Sequence, residues 1–173
     1  DTIESTASVD GSIDRVKIVI PDDFDMPPGG LSIRTHDGIL AQEERLQEHK
    51  RDAMLAFIRA NKLNRIITSG GPNPKIGIIT TGKSYLDVRQ AMDDLGIDEV
   101  RANDLGVRLY KIGCTWPLEP EGLKEFAHGL EMVIVVEEKR SLIEVQVREE
   151  LFATPDRPVV VGKADERGQK LLK

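Results

Sequence analysis

The stretch Lys75-Ile-Gly-Ile-Ile-Thr-Thr-Gly-Lys-Ser-Tyr-Leu-Asp-Val88 constrains what this chain can fold into more than any other. Ile76, Ile78, Ile79, Thr80 and Thr81 are β-branched, which suits a pleated surface and crowds a helix. Their apolar character is nearly continuous rather than alternating, as in a strand covered on both faces. Gly82 supplies a turn. Ser84, with Asp87 three residues on, then predicts a capping box at a helix start. Tyr85, Val88, Met92 and Leu95 follow at helical spacing, and Gly96 ends the run.

The same stretch matches a phosphate-binding loop letter for letter, as Gly77-x-x-x-x-Gly82-Lys83-Ser84. That motif works when backbone N–H groups between the glycines wrap phosphates, the lysine reaches the β/γ oxygens and the hydroxyl holds magnesium. Here the intervening residues are Ile-Ile-Thr-Thr, which read as the strand itself. Gly70-Gly-Pro-Asn-Pro74 stands just ahead of Gly77, and that turn is no central strand. The simpler reading gives Gly82 the turn and Ser84 the cap, and leaves Lys83 in solvent.

Length and charge bound the remainder. At 173 residues the chain fits one domain, or one domain with a substantial extra segment. Charged residues make up 31%, both signs are interspersed, and the net charge of −6 points to neither nucleic acid nor membrane. No apolar run has the length of a membrane span, and no signal-peptide pattern opens the chain. One cysteine, Cys114, excludes an internal disulfide and a cysteine-built cluster, which fits a reducing cytoplasm. The start at Asp1 and the charged tail lead us to expect a piece of a longer protein.

Before the central strand, Arg15-Val-Lys-Ile-Val-Ile20 predicts a strand with Val16, Ile18 and Ile20 on one face. Pro21 to Gly30 is a rigid, turning loop in which Phe24 and Met26 are candidate anchors for another domain. A helix is expected over about 40–61, its stripe carried by Leu46, Ala53, Met54, Phe57 and Ile58. A short strand follows at Asn64–Ser69. After Leu95, strands are expected at Val107–Gly113, Met132–Val136 and Pro158–Val161. Helices are expected from Pro120 and from the second capping box, Ser141-x-x-Glu144. The alternation β-α-β-α-β-α-β predicts an α/β fold, a largely parallel sheet with helices on both faces and right-handed crossovers.

Taken together, several stretches resemble bacterial indolepyruvate:ferredoxin oxidoreductase, a thiamine-diphosphate-dependent 2-oxoacid oxidoreductase family. They are Lys75–Ala91, Leu105–Gly113, Thr115-Trp-Pro-Leu-Glu-Pro-Glu-Gly-Leu123 and Val135-Val-Glu-Glu-Lys139. Ser8-Val-Asp10, Met26-Pro-Pro-Gly-Gly-Leu31 and Gly162-Lys163 fit the same family, so the likeness runs along the chain in order. It implies a three-layer α/β/α domain like the C-terminal domain of transketolase. That domain has a mostly parallel five-stranded sheet whose first strand, Arg65–Thr68, runs antiparallel. It also implies boundaries: 1–63 as the tail of a preceding domain and linker, 64–162 as the α/β domain, 163–173 as a linker onward. The parent family decarboxylates aryl 2-oxoacids such as indolepyruvate, forms an acyl-CoA and reduces ferredoxin. For the parent, then, the likeness implies thiamine diphosphate, magnesium, iron–sulfur clusters, CoA and ferredoxin.

The chain itself has no Gly-Asp-Gly magnesium motif for thiamine diphosphate and one cysteine where clusters need several. The expectation is therefore a noncatalytic structural and assembly domain, inactive in isolation, contacting other domains of its parent and a second subunit. No catalytic residue and no metal ligand is assigned. Pattern marks Gly82, Lys83, Ser84 and Glu137 as the only candidates for cofactor contact, and none is expected to hold one. Glu137 ends an apolar strand, and a contact to a neighbouring domain or a helix end is the favoured role. His36, His49 and His128 are isolated, Cys114 reads as a small filler, and Trp116 as a core or interface anchor. Two other readings stay open. One is a P-loop nucleotide-binding enzyme built on Gly77–Ser84. The other is a sensor domain with a pocket near Gly82, Gly113 and Glu137.

Overall fold

The structure, a computed structural model, describes residues 8–171; residues 1–7 and 172–173, the outer ends of the expected 1–63 and 163–173 segments, lie outside the described residues. The N-terminal part departs from expectation. Arg15–Ile20 is not a strand: a 3-10 turn covers Ile13–Arg15 and irregular backbone follows. Val16, Ile18 and Ile20 are 72%, 64% and 81% exposed. The alternation is present in the sequence, but among the described residues no sheet edge lies beside it to complete a ladder. Of the proposed anchors, Met26 is exposed and Phe24 half-buried.

The long helix forms as α1 (Ile39–Arg45) and α2 (Arg51–Ala60), joined by a π-helical turn over Leu46–Lys50. Ala56 and Ile58, rather than Met54, are its deeply buried residues. Five strands follow: β1 (Arg65–Ser69), β2 (Ile76–Thr81), β3 (Val107–Ile112), β4 (Met132–Val136) and β5 (Val159–Val161). Their order is β1-β3-β2-β4-β5, with β1 antiparallel to β3 and the others parallel. A bulge interrupts the β1–β3 ladder between Ile66 and Thr68. There Thr68 Oγ1 accepts the Leu109 N–H at 3.0 Å and donates to the Val107 carbonyl at 3.3 Å, so a side chain supplies bonds that the displaced backbone cannot.

Helices α3 (Gly82–Asp94) and α4 (Glu99–Leu105) lie on one face, and α5 (Pro120–Ala127) and α6 (Ile143–Leu151) on the other, giving the expected three layers. Sequence periodicity passed over α4. Asp98 caps it through the Arg101 N–H, left-handed Gly106 ends it, and Ala102 is its one buried residue. Pro120 opens α5 as expected. Central strand β2 feeds both cores. Ile79 joins Phe126, Leu130, Val133 and Val147 under α5 and α6, while Ile78 packs with Val88, Met92 and Leu109 under α3 and α4.

Gly77 is part of this packing. A Cβ there would stand 2.5 Å from Leu130 Cδ1 and 2.6 Å from Phe126 Cζ. Phe126 is stacked on Tyr110, with ring centroids 4.9 Å apart, and cannot easily give way. We therefore expect Gly77→Ala to destabilise the chain by about 1–3 kcal/mol through overpacking. Urea denaturation would read this as a lower midpoint at unchanged slope.

Candidate functional site

In open parallel sheets, ligand crevices form where strand order reverses, outside the carboxyl ends of the strands. Here β3 lies on one side of β2 and β4 on the other, so the reversal falls between the ends of β2 and β4. Gly82, Lys83, Ser84 and Glu137, marked from pattern alone, all lie along that edge.

The P-loop reading fails on geometry. Ile76–Thr81 is one uninterrupted strand, paired with β3 and β4, so its amides belong to the sheet and do not wrap a ligand. Each letter of the motif has another role. Gly77 admits Phe126 and Leu130; Gly82 takes a φ of +52° at the turn. Lys83 pairs with Asp87, Nζ to Oδ1 at 2.7 Å, which with the more distant Glu138 holds its ammonium charged to higher pH than usual. Ser84 is not a cap. The helix starts two residues earlier, with Thr81 at the N-cap, and Ser84 is buried within its first turn. Thr81 Oγ1 donates instead to the Ile112 carbonyl at 2.9 Å.

Glu137 turns out to be the cap of α6. Its Oε2 accepts the N–H groups of Leu142 and Ile143 at 3.0 and 2.9 Å, and its Oε1 accepts that of Glu144 at 3.1 Å. A helix N-terminus attracts anions through such free N–H groups and its dipole. The chain's own carboxylate fills that place at the strand-order reversal. Glu137 thus has the helix-end role considered for it. The expected Ser141 capping box is replaced: Ser141 donates to the Glu144 carboxylate at 3.0 Å and leaves the backbone N–H groups to Glu137.

Sequence reasoning did not connect Glu144, Arg148 and Lys163. The buried Glu144 carboxylate accepts the Lys163 N–H at 2.9 Å and Arg148 Nη2 at 3.0 Å. It occupies the space a Cβ on Gly162 would need. Lys163 Nζ donates to the Glu137 carbonyl, and Arg148 Nη2 to the Val160 carbonyl at 2.7 Å. The ends of β4 and β5 are thus tied to α6. Gly162-Lys163 was visible in the sequence, but its carboxylate partner was not. Burial pushes the Glu144 carboxyl upward, yet hydrogen bonds from Lys163, Arg148 and Ser141 outweigh it and hold the group below the usual glutamate range.

The sensor reading required a closed pocket near Gly82, Gly113 and Glu137. Five cavities among the described residues are lined by none of these three, and Gly113 is packed against the Leu63 backbone. One is an open cleft of about 570 Å³ between the end of α2, the start of β1 and the start of α5. Buried Glu119 caps α5 there, accepting from Glu121 and Gly122. Arg59 spans the cleft wall, 2.7 Å from Asp23 and 3.3 Å from Glu119, and so fastens the N-terminal loop to the sheet domain. Burial, with Glu119 nearby, keeps the Tyr110 hydroxyl protonated well above its ordinary range. His36, His49 and His128 stay apart, and no group of three or more metal-ligating side chains forms among the described residues. Cys114 is half-buried, its Sγ donating to the Trp116 carbonyl at 3.3 Å. Trp116 is 53% exposed, so it is a surface residue rather than a core one. No helix is long and apolar enough to cross a membrane among the described residues.

Two outcomes test this site. Glu137→Ala strands three N–H groups and should cost about 2–3 kcal/mol in urea denaturation, with Glu137→Gln losing less because it keeps an acceptor oxygen. Glu144 has a lowered folded-state pKa, so its contribution is complete above the ordinary glutamate value and is lost as pH falls through the lowered one. Across that acidic window the stability of Glu144→Gln should fall less steeply with pH than that of the wild type.

The family model described as "Indolepyruvate oxidoreductase domain" matches residues 66–173. A protein named indolepyruvate oxidoreductase subunit IorA from Pyrococcus horikoshii is 38% identical over 79 residues, 46% of this chain and 11% of that protein. The protein of the same name from Thermococcus kodakarensis is 30% identical over 113 residues, 65% of this chain and 15% of its own length. This chain therefore spans only a small part of those relatives. Among solved structures, the 2-oxoglutarate:ferredoxin oxidoreductase from Magnetococcus marinus aligns at a TM-score of 0.48 and 21% identity, covering 80% of this chain and 23% of that one. An inactive tetramer of a split-gene transketolase aligns at 0.45 and 20%, covering 57% and 31%. With its family model matched from β1 onward, the chain belongs to the indolepyruvate oxidoreductase domain family.

Proposed function

We propose that this chain is a noncatalytic structural and assembly domain of a cytoplasmic indolepyruvate:ferredoxin oxidoreductase. In this reading residues 64–162 are the α/β domain, 1–63 the tail of a preceding domain with its linker, and 163–173 the linker onward. Thiamine diphosphate, magnesium, iron–sulfur clusters and the sites for CoA and ferredoxin belong to other parts of the parent. There the cofactors supply decarboxylation and electron transfer.

One observation carries the reading. At the strand-order reversal, where a fold of this kind would take a ligand, Glu137 already occupies the N-terminus of α6. Exposed Trp116 lies on the loop after β3, beside that edge, and is suited to contact with a neighbouring domain. Contact surfaces, rather than a reaction centre, are what this domain offers.

The test is turnover. The 173-residue chain, supplied with indolepyruvate, CoA, Mg-thiamine diphosphate and a viologen acceptor, should give no acceptor reduction, and the full-length oxidoreductase containing it should. Reduction by the chain alone would overturn the noncatalytic role, and an inactive full-length protein would overturn the parent activity. In calorimetry, Mg-ATP should give no heat with either the wild type or Lys83→Ala. Micromolar binding lost on substitution would restore the nucleotide reading.

A further inference from the structure

Extending the domain reading, and resting on it, we infer that residues 16–20 are a strand donated to the open edge of a β-sheet elsewhere in the same oxidoreductase subunit. The main observation is a clamp. Asn61, at the end of α2, holds both backbone groups of one residue: its Oδ1 accepts the Val19 N–H at 2.8 Å and its Nδ2 donates to the Val19 carbonyl at 2.9 Å. One amide can do this only if the N–H and C=O of Val19 point the same way, as they do in an extended strand. Asn61 Nδ2 is itself fixed by the Phe57 carbonyl at 3.0 Å, so the clamp is anchored in the helix.

Strand geometry then sets the neighbours. With Val19 facing Asn61, the N–H and C=O groups of Ile18 and Ile20 point to the opposite side. Among the described residues they have no hydrogen-bond partner. Val16, with φ −104° and ψ 109°, is also extended, and Val16, Ile18 and Ile20 share one exposed apolar face. The segment therefore combines a prepaid conformation, a free hydrogen-bonding edge and an apolar face. A sheet edge satisfies all three at once, whereas a flat apolar surface would leave the backbone groups without partners.

The occupant is the same subunit rather than a second copy of this chain. The stretches that match make up 11% and 15% of two relatives' length, so most of such a subunit lies outside them. The segment is held in place without it: Arg59 fixes Asp23 on the C-terminal side, and Asn61 clamps Val19. A segment clamped along one edge and open along the other is placed for an immobile neighbour in the same chain.

Residue-resolved amide hydrogen exchange tests this on the full-length subunit and on the 173-residue chain side by side. The Ile18 and Ile20 amides should exchange freely in the isolated chain and about a hundredfold more slowly in the full-length protein. Ile18→Pro should abolish the slowing at Ile20 in the full-length protein while leaving the melting temperature of the isolated chain unchanged. Free exchange at both residues in the full-length subunit would overturn the inference. So would slowing in the isolated chain that grows with its concentration, which would assign the edge to a second copy, or protection at Ile20 that survives Ile18→Pro. Indolepyruvate turnover measured on the same full-length sample reports separately on the parent activity, so the two readings fail independently.

Discussion

Three backbone N–H groups at the start of α6 and one carboxylate, that of Glu137, determine how this domain is finished. An uncapped helix N-terminus at a strand-order reversal is an electrostatic invitation to an anion. Here the strand that reaches that point supplies the anion itself. The bond also orients α6 over β4 and β5, which brings Glu144 against Gly162 and the Lys163 N–H. Strand β5 has three residues and could not hold the edge by ladder bonds alone. The carboxylates of Glu137 and Glu144, with Arg148 and Lys163, close that side of the sheet.

On the opposite side the sheet ends in β1, whose antiparallel pairing is shifted by a bulge and completed by Thr68. The two edges are managed by different means: a charged lattice beside β5, a hydroxyl and a bulge at β1. Between them β2 is apolar on both faces, which is why a motif that looks like a phosphate loop is committed to the core. The letters of that motif survive as packing requirements, most clearly at Gly77 beneath Phe126 and Leu130.

What could be read from the sequence follows from how local each cause is. Strands β2 and β4 are continuous apolar runs because both faces are buried, and their positions were legible to within a residue. Helix α4 was not, because only Ala102 is buried and no apolar stripe forms. The Arg15–Ile20 pattern reads as a strand, yet strand formation depends on a partner the local sequence does not contain. Both serine caps were misplaced for related reasons. A positive φ at Gly82 lets α3 begin before Ser84, and α6 is capped by a residue outside the helix rather than by Ser141. Of the candidate site, the helix-end role of Glu137 was within reach. The pairing of Glu144 with Lys163 was not, because it joins residues 19 apart along the chain.

The π-helical turn at Leu46–Lys50 changes how the long helix can be compared with others. Its Arg51 N–H reaches back five residues to the Leu46 carbonyl, so the turn holds one residue more than an α-helical turn does. Each residue of an α-helix advances the azimuth by about 100°, so the extra one puts the two halves out of phase. On the first half the inward position is taken by Arg45, bonded to the Gly30 carbonyl at 2.6 Å; on the second it is taken by Ala56 and Ile58. A homologue lacking that single residue would align here with a gap inside an unbroken helix. Its apolar stripe would then run straight where this one steps aside.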